Sequence, residues 1–554
     1  MPALNTNSNT SRIEPLESRI APAVIVVTAL GDTPVTGKTT LRQAIADATG
    51  ATNTIVFKPG LRGYIELASG TLSINHDLTI SGPGGNKILI NGDAASSIFT
   101  VTGGTKVTLS GLTLVNGENA TGSGGAVNSD GPLTISNCVI SGNTAEKGGG
   151  IYDSGTGPFV LVHTVVTGNK AVDSGSGIGG GVYAYASTGG IAIIGSKIVD
   201  NSSDDVGGGL NLKLGSGSLG NLTISTSEIS GNLGLDVGGG ARLYGDSATG
   251  KVLVTASVVS GNISGEIGGG VQLTVLGSAV FTGTNFLNNQ SEENGGGLWA
   301  DGSGSLAVHG GRFAANIAEK TYLGGGIYSD ISGNSVTIAG ATLVDNQAAV
   351  GGALGIKGSP NLVITGSTIS DNHTTGTSGG IEADTTGTTK ITGCTIAYNS
   401  AQAGAGGAYL TGTETITVQS TKFLGNTTIG VAGGLALGGT SSQHNLIGDT
   451  FANNTALSNG GGLYVTGTGT FSVIDSAFTG NSSGGEGGGI FIDAAASGAI
   501  HTPGVLITGN AATGGGGGVA HVTGATGTVT LKVSTVTGNA EGIPKTDTYG
   551  TFVP

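Results

Sequence analysis

The residues with most scope for chemistry recur at one place in a repeated unit. Three or four positions after a regularly spaced asparagine stands an acid: Glu146, Asp173, Asp204 with Asp205, Asp236, Glu266, Glu292 with Glu293, and Glu319. If consecutive units stack, these carboxylates form one column stepped by ~4.8 Å, close enough for like charges to repel. Oxygen-rich stripes of this kind suit Ca²⁺, which makes Asp204, Asp205, Asp236, Glu266, Glu292 and Glu293 the candidate metal ligands. A solvated acidic edge, partly neutralised by Lys147, Lys170 and Lys320, accounts for the same residues without a metal.

A second set follows the glycine cluster of each unit. In a strand the first residue after the glycines points inward and the second outward. The second position reads Tyr152, Tyr183, Asn211, Arg242, Gln272, Trp299 and Tyr328, then Tyr409, Tyr464 and Phe491. Aromatic rings beside amides and a guanidinium suit sugar binding, so Tyr183, Asn211, Arg242, Gln272, Trp299 and Tyr328 are the candidate glycan-binding face. The ordinary preference of strands for aromatic residues is the competing explanation.

Other motifs carry less. Gly31 to Thr39 ends in Gly37-Lys38-Thr39, but a phosphate loop requires glycine where Asp32 stands, so nucleotide binding is not expected. The seven histidines are scattered, and no catalytic residue is assigned. The two cysteines, Cys138 and Cys394, lie five residues before Asn143 and Asn399, where other units carry Ser257, Ser367, Thr421 or Ser476. They read as small interior residues separated by nine units, too far apart to pair.

The element that positions all of these is the repeat itself. Fifteen asparagines, from Asn143 to Asn539, are spaced 26 to 32 residues apart. After nearly every one comes a polar turn, a glycine cluster and an apolar residue, as in Gly207-Gly208-Gly209-Leu210. Two further alternating segments, such as Leu222-Thr-Ile224, lead to the next asparagine. Three short strands per unit and no helix predict an all-β, single-stranded right-handed parallel β-helix, because one unit cannot bury its own inward side chains. Leucine-rich repeats lack their leucine framework here, and calcium-binding nonapeptide rolls need a much shorter period.

Residues 24–100 read as an N-terminal cap and first coils. Thr40-Leu-Arg-Gln43 is a capping-box pattern, and Leu41, Ala44, Ile45 and Ala48 share a face, which predicts a short capping helix over 38–49 ending near Gly50. Residues 101–540 are the repeats and 541–554 a C-terminal tail. Residues 1–23 read as a leader or a disordered tail.

Composition bounds the partners. Glycine contributes 110 of 554 residues while 37% are hydrophobic, so the glycine serves a folded, apolar structure. With 21 Lys plus Arg against 35 Asp plus Glu, the net charge of −14 argues against nucleic acid and anionic membranes. No apolar run is long enough for a transmembrane helix.

The segment Thr40-Leu41-Arg42-Gln43-Ala44-Ile45, followed by Ile55-Val56-Phe57-Lys58-Pro59, resembles the CSLREA-type opening of bacterial surface β-helix proteins, without its cysteine. The repeats resemble those of chlamydial polymorphic outer-membrane proteins, with Gly124-Gly125-Ala126-Val127 and Gly351-Gly352-Ala353-Leu354 matching G-G-A-[ILV]. Phe286 to Asn289, Phe313 to Asn316, Phe423 to Asn426, Phe451 to Asn454 and Phe478 to Asn481 match F-x-x-N. Leu16 to Ala23 is similar to an L-E-x-R-x-x-P-A leader of bacterial envelope proteins. The resemblance implies an extracellular or cell-surface scaffold in adhesion, envelope structure or glycan binding. Its partners would be envelope or extracellular polysaccharide, or surface proteins, with Ca²⁺ the one cofactor the residues suggest. The alternatives are a β-helix polysaccharide lyase or glycosidase, and a self-assembling matrix protein.

Overall fold

A computed structural model describes residues 24–49, 53–173, 177–246, 248–319, 323–440, 443–494, 496, 499–521, 528–530, 535–541 and 548–549. Residues 1–23, read as a leader or a disordered tail, Gly50, Lys320 and most of 541–554 lie outside the described residues, and the helix has its C-cap at Ala48 where Gly50 was expected. The rest winds into a right-handed parallel β-solenoid of about 18 turns. Each strand pairs in parallel with its counterpart one turn on, as Ile151–Asp153 does with Val182–Ala184.

From the third turn on, where the fourth ladder begins at Glu118–Ser123, the described turns carry four strands where three were expected. One turn runs through Ile151–Asp153, Phe159–Val162, Val165–Thr167 and Lys170–Ala171. The third of these belongs to a ladder of 18 strands and the fourth to one of 16. The fourth ladder lies within the stretch that reads as a polar turn. Its strands are often two residues long with a single small inward residue, such as Ala171, Ser203 or Ser264, so there is no alternation to detect.

Inward positions form one continuous apolar core along the solenoid. Identical residues stack on themselves in the third ladder. Phe423, Phe451 and Phe478 lie ring over ring, with centroids 4.7 and 4.5 Å apart and planes within 2°. This is the physical content of the F-x-x-N motif, since the phenylalanine packs in the strand and the asparagine takes the bend that follows.

At that bend the fifteen asparagines make one unbroken side-chain ladder. The Oδ1 of Asn232 accepts the backbone N–H of Asn201 at 3.0 Å and its Nδ2 at 3.1 Å. The Nδ2 of Asn232 donates to Ile198 O and to Asn262 Oδ1, both at 2.9 Å. The residue before each asparagine takes the left-handed backbone of the turn: Asp200 has φ 55° and Gly231 φ 64°. The asparagine must keep its own N–H along the stack to reach the next Oδ1, so the reversal is made one residue earlier.

The other bend of the third strand has its own ladder, which explains the cysteines. Leu112 N donates to Cys138 Sγ at 3.5 Å, Cys138 N to Thr164 Oγ1 at 3.3 Å, Thr164 N to Ser196 Oγ at 3.2 Å and Ser196 N to Ser227 Oγ at 3.1 Å. Cys394 N likewise donates to Thr421 Oγ1 at 3.3 Å. Both thiols are free and buried. They are hydrogen-bond acceptors as well as packing residues.

The glycine cluster turns the chain where strands crowd. Gly207 has φ +67°, and a Cβ on Gly208 would lie 2.4 Å from Leu233 O, inside any permitted contact.

Upstream, the helix spans Leu41–Asp47, shorter than the predicted 38–49, with Thr40 Oγ1 accepting Gln43 N at 3.3 Å. Leu41, Ala44, Ile45 and Ala48 join the solenoid core. Asp32 fixes this region. Its carboxylate accepts Arg42 Nε at 2.8 Å, Arg42 Nη2 at 3.1 Å, Ala68 N at 3.0 Å and Ser69 N at 2.9 Å. Burial pushes the Asp32 carboxyl up, but Arg42 and these N–H donors outweigh it and hold the group below the usual carboxylate range. A strand at Val24–Val27 pairs in parallel with Thr54–Phe57. At the other end Thr548–Tyr549 pairs with Val519–Ala520.

Candidate functional site

The strand after the glycines presents one outward file in strict register. Tyr152, Tyr183, Asn211, Arg242, Gln272, Trp299 and Tyr328 occupy matching positions in seven consecutive turns. The file continues through Gly355 and Glu382 to Tyr409, and later to Tyr464 and Phe491. All six candidate glycan residues are therefore brought together.

Their exposure differs from expectation. Asn211, Gln272 and Tyr328 are only 5, 4 and 6% exposed, because each side chain is packed between its neighbours along the file. Tyr152 and Tyr183 stack with centroids 4.9 Å apart and planes 11° apart, and Trp299 and Tyr328 stack at 6.4 Å and 24°. Each pair covers one face of each ring. Burial first, then Tyr152 and Tyr185, raise the Tyr183 phenol, and burial lifts that of Tyr328 to about 12.

Between the two aromatic pairs lies a polar span of three turns. Arg242 Nε donates to Gln272 Oε1 at 3.1 Å, and Gln272 Nε2 donates to Thr274 Oγ1 at 2.9 Å, which fixes both side chains.

A second outward file, two residues further along the same strands, was missed. It reads Tyr185, Lys213, Tyr244, Thr274, Asp301 and Asp330. Lys213 Nζ sits over the rings of Tyr185 at 5.8 Å and Tyr244 at 4.8 Å, and the Arg242 guanidinium lies 5.6 Å from the Tyr244 centroid. Lys213 Nζ is 3.8 Å from Asp246 Oδ2. Asp301 is raised, chiefly by burial and further by the charge of Asp330. The signal was available, since a strand that shows one residue outward shows the next-but-one on the same face.

The acidic residues fall in two neighbouring files instead of one. Asp204, Glu292 and Glu319 each follow a residue of the fourth ladder, in the register Ser203, Gly234, Ser264, Ser291, Ala318. At that position Leu235 and Gly265 separate Asp204 from Glu292. Asp205, Asp236, Glu266 and Glu293 make the other, unbroken file, linked by Asp236 N to Asp205 O at 3.0 Å, Glu266 N to Asp236 O at 2.7 Å and Glu293 N to Glu266 O at 2.8 Å. Burial, then Asp236, pushes Asp205 to about 6, and the hydrogen bond to Asp236, then burial, pushes Glu266 to about 7. Asp236 Oδ1 is buried with no N–H or O–H donor among the described residues. Among the described residues no group of three or more His, Cys, Asp and Glu is disposed to hold a metal ion.

Several ionisable groups lie inside the solenoid instead. His444 stacks on Phe471 at 4.2 Å and is held neutral, its basicity pushed down by burial to about 4. Asp153 and Asp449, each 1% exposed, are both raised by burial to about 7. Among the described residues no helix is long and apolar enough to cross a membrane.

Comparison with known proteins agrees with this geometry at the level of fold. The family model described as right handed beta helix region matches residues 270–451 and 379–551, together just over half of the chain. The Chlamydia polymorphic membrane protein repeat model matches residues 137–154. No curated protein matches the sequence. Among solved structures, the A-module of mannuronan C-5 epimerase AlgE4 from Azotobacter vinelandii aligns at 10% identity over 92% of this chain and 91% of that chain. Its TM-score is 0.14. With the parallel solenoid and the family match together, the chain belongs to the right-handed β-helix family and carries repeats like those of the chlamydial polymorphic membrane proteins.

Proposed function

We propose that this chain is an extracytoplasmic scaffold that binds polysaccharide along the outer face of its post-glycine strands. One observation carries the reading: two aromatic stacks, Tyr152 with Tyr183 and Trp299 with Tyr328, end on either side of the polar span Asn211, Arg242 and Gln272. From Tyr183 to Trp299 is four turns, ~19 Å at ~4.8 Å per turn. That spacing suits a run of sugars, with a ring at each end and hydrogen-bonding groups between. A panel of polysaccharides tested against the full chain and Trp299→Ala checks it. Retention of some polymer, weakened by the substitution, supports the reading, and a chain that retains none contradicts it.

A second reading, turnover of the bound polymer, is favoured by one arrangement. Asp301 and Asp330 occupy neighbouring turns, two residues beyond Trp299 and Tyr328. Asp301, raised by burial, would hold a proton for the leaving oxygen while Asp330 acts as nucleophile or base, as in paired-carboxylate glycosidases. Reducing ends released by wild type and not by Asp330→Asn would support it.

A further inference from the structure

We infer that the saccharide taken by this face is anionic, its carboxylate or sulfate groups bound by Lys213 and Arg242. This rests on the polysaccharide reading above and narrows it.

The argument begins with scarcity. The chain carries 21 Lys and Arg against 35 Asp and Glu, yet two of those cations stand in neighbouring turns within the span that the aromatic stacks bracket. Both are held in place. Lys213 lies between the rings of Tyr185 and Tyr244, and Arg242 is fixed by its bond to Gln272 above the Tyr244 ring. Cations set on aromatic faces lose little further freedom when an anion arrives, and a guanidinium matches carboxylate and sulfate geometry.

Among the described residues no acid forms an ion pair with Arg242, and only Asp246 forms one with Lys213. Asp246 meets Lys213 at 3.8 Å, near the outer limit of an ion pair. Around Arg242 stand Asp205, Asp301, Tyr183 and Tyr244. Asp205 shares a hydrogen bond with Asp236, and Asp301 is half-buried, so both favour the protonated form more than a free carboxyl does. A neutral sugar would desolvate two cations without replacing their water by charge, whereas an anionic one gives Arg242 a charged partner and Lys213 a second.

The test compares polymers that differ only in charge. The full chain is titrated at pH 7 and low salt with polygalacturonate and its fully methyl-esterified form, and with dextran sulfate and dextran. At least one charged polymer is expected to bind about tenfold more tightly than its neutral partner, with the difference shrinking as salt rises. Lys213→Gln and Arg242→Gln should each remove about tenfold of the charged affinity and narrow its margin over the neutral partner. Lys197→Gln, on the third ladder and paired with Glu228 at 2.7 Å, should change nothing. Preference for polygalacturonate assigns carboxylate, and preference for dextran sulfate assigns sulfate. Equal retention of charged and neutral polymers, still weakened by Trp299→Ala, overturns this inference and leaves the polysaccharide reading standing. Retention of no polymer overturns both.

Discussion

Asn201 and Asn232 are thirty-one residues apart in sequence, and the Nδ2 of the first donates to the Oδ1 of the second at 3.1 Å inside the solenoid. The same bond is repeated from Asn143 to Asn539, so the chain is held in register by a polar file within an apolar core. In a repeat structure of this kind each turn depends on its neighbours, and damage to one link weakens the turns on both sides.

Asn232→Ala is therefore expected to be costly. It leaves the buried N–H of Asn201 without an acceptor, takes one of three acceptors from Asn201 Nδ2, and removes the side-chain donor to Ile198 O and Asn262 Oδ1. Unpaired buried groups cost about 1–3 kcal/mol each, so a loss of about 3–5 kcal/mol should appear in denaturant unfolding. A variant as stable as wild type would mean the ladder is incidental.

Gly208→Ala and Gly261→Ala separate space from backbone angle. The first places a methyl 2.4 Å from Leu233 O, and the second has φ +60° with open space around it. Gly261→Ala should cost about 1 kcal/mol, the ordinary penalty of a left-handed residue with a side chain, while Gly208→Ala should cost several times more. Thermal melting of the two variants side by side checks the order.

The acid file predicts a pH dependence of definite sign. Asp205 at about 6 and Glu266 at about 7 titrate above their ordinary ranges, so the folded chain binds more protons than the unfolded one. Their contribution to stability is present at acidic pH and is lost as pH rises through 6 to 7. Asp236→Asn, which gives both neighbours an amide in place of a carboxylate, should melt higher than wild type at pH 8 and converge with it near pH 5. The variant isolates this file from Asp153, Asp449 and Glu382, which are raised to about 7 elsewhere in the fold and act in the same direction.

Cys138 should behave as a structural acceptor and not as a reactive thiol. It is buried, and desolvation pushes its thiol to about 11. Alkylation should require denaturant. Cys138→Ser should be tolerated, because serine fills the same ladder position at Ser196, Ser227 and Ser257, whereas Cys138→Val should cost about 1 kcal/mol by leaving Leu112 N unpaired. Rapid labelling of the native chain would contradict this.

What the sequence made legible follows from what must repeat. Asparagine at one bend and paired glycines at another are needed once per turn, so period, strand order and the aromatic file could be read before any coordinates. The helix start at Thr40 was legible for the same reason, a local hydrogen bond with a fixed spacing. The fourth ladder was hidden because two residues carry no period, and the left-handed residue before each asparagine because Gly231 and Asp200 share a backbone angle and no side-chain type. Lys213 and Tyr244 were missed because the outward alternation was followed for one position where the strand offers two. The packing that covers Asn211, Gln272 and Tyr328 depends on which side chains lie one turn above and below, which a single unit does not contain.

Trp299 is the one tryptophan in the chain, so its fluorescence reports on the proposed binding face alone. The most direct measurement is a titration of the full chain with a polysaccharide that it retains, following Trp299 emission and its quenching by acrylamide. A saturable change in emission with reduced quenching is expected, and Lys213→Gln should shift it to higher polymer concentration. Polymer bound by the chain while Trp299 emission and quenching stay unchanged would place binding elsewhere and contradict the assignment of this face.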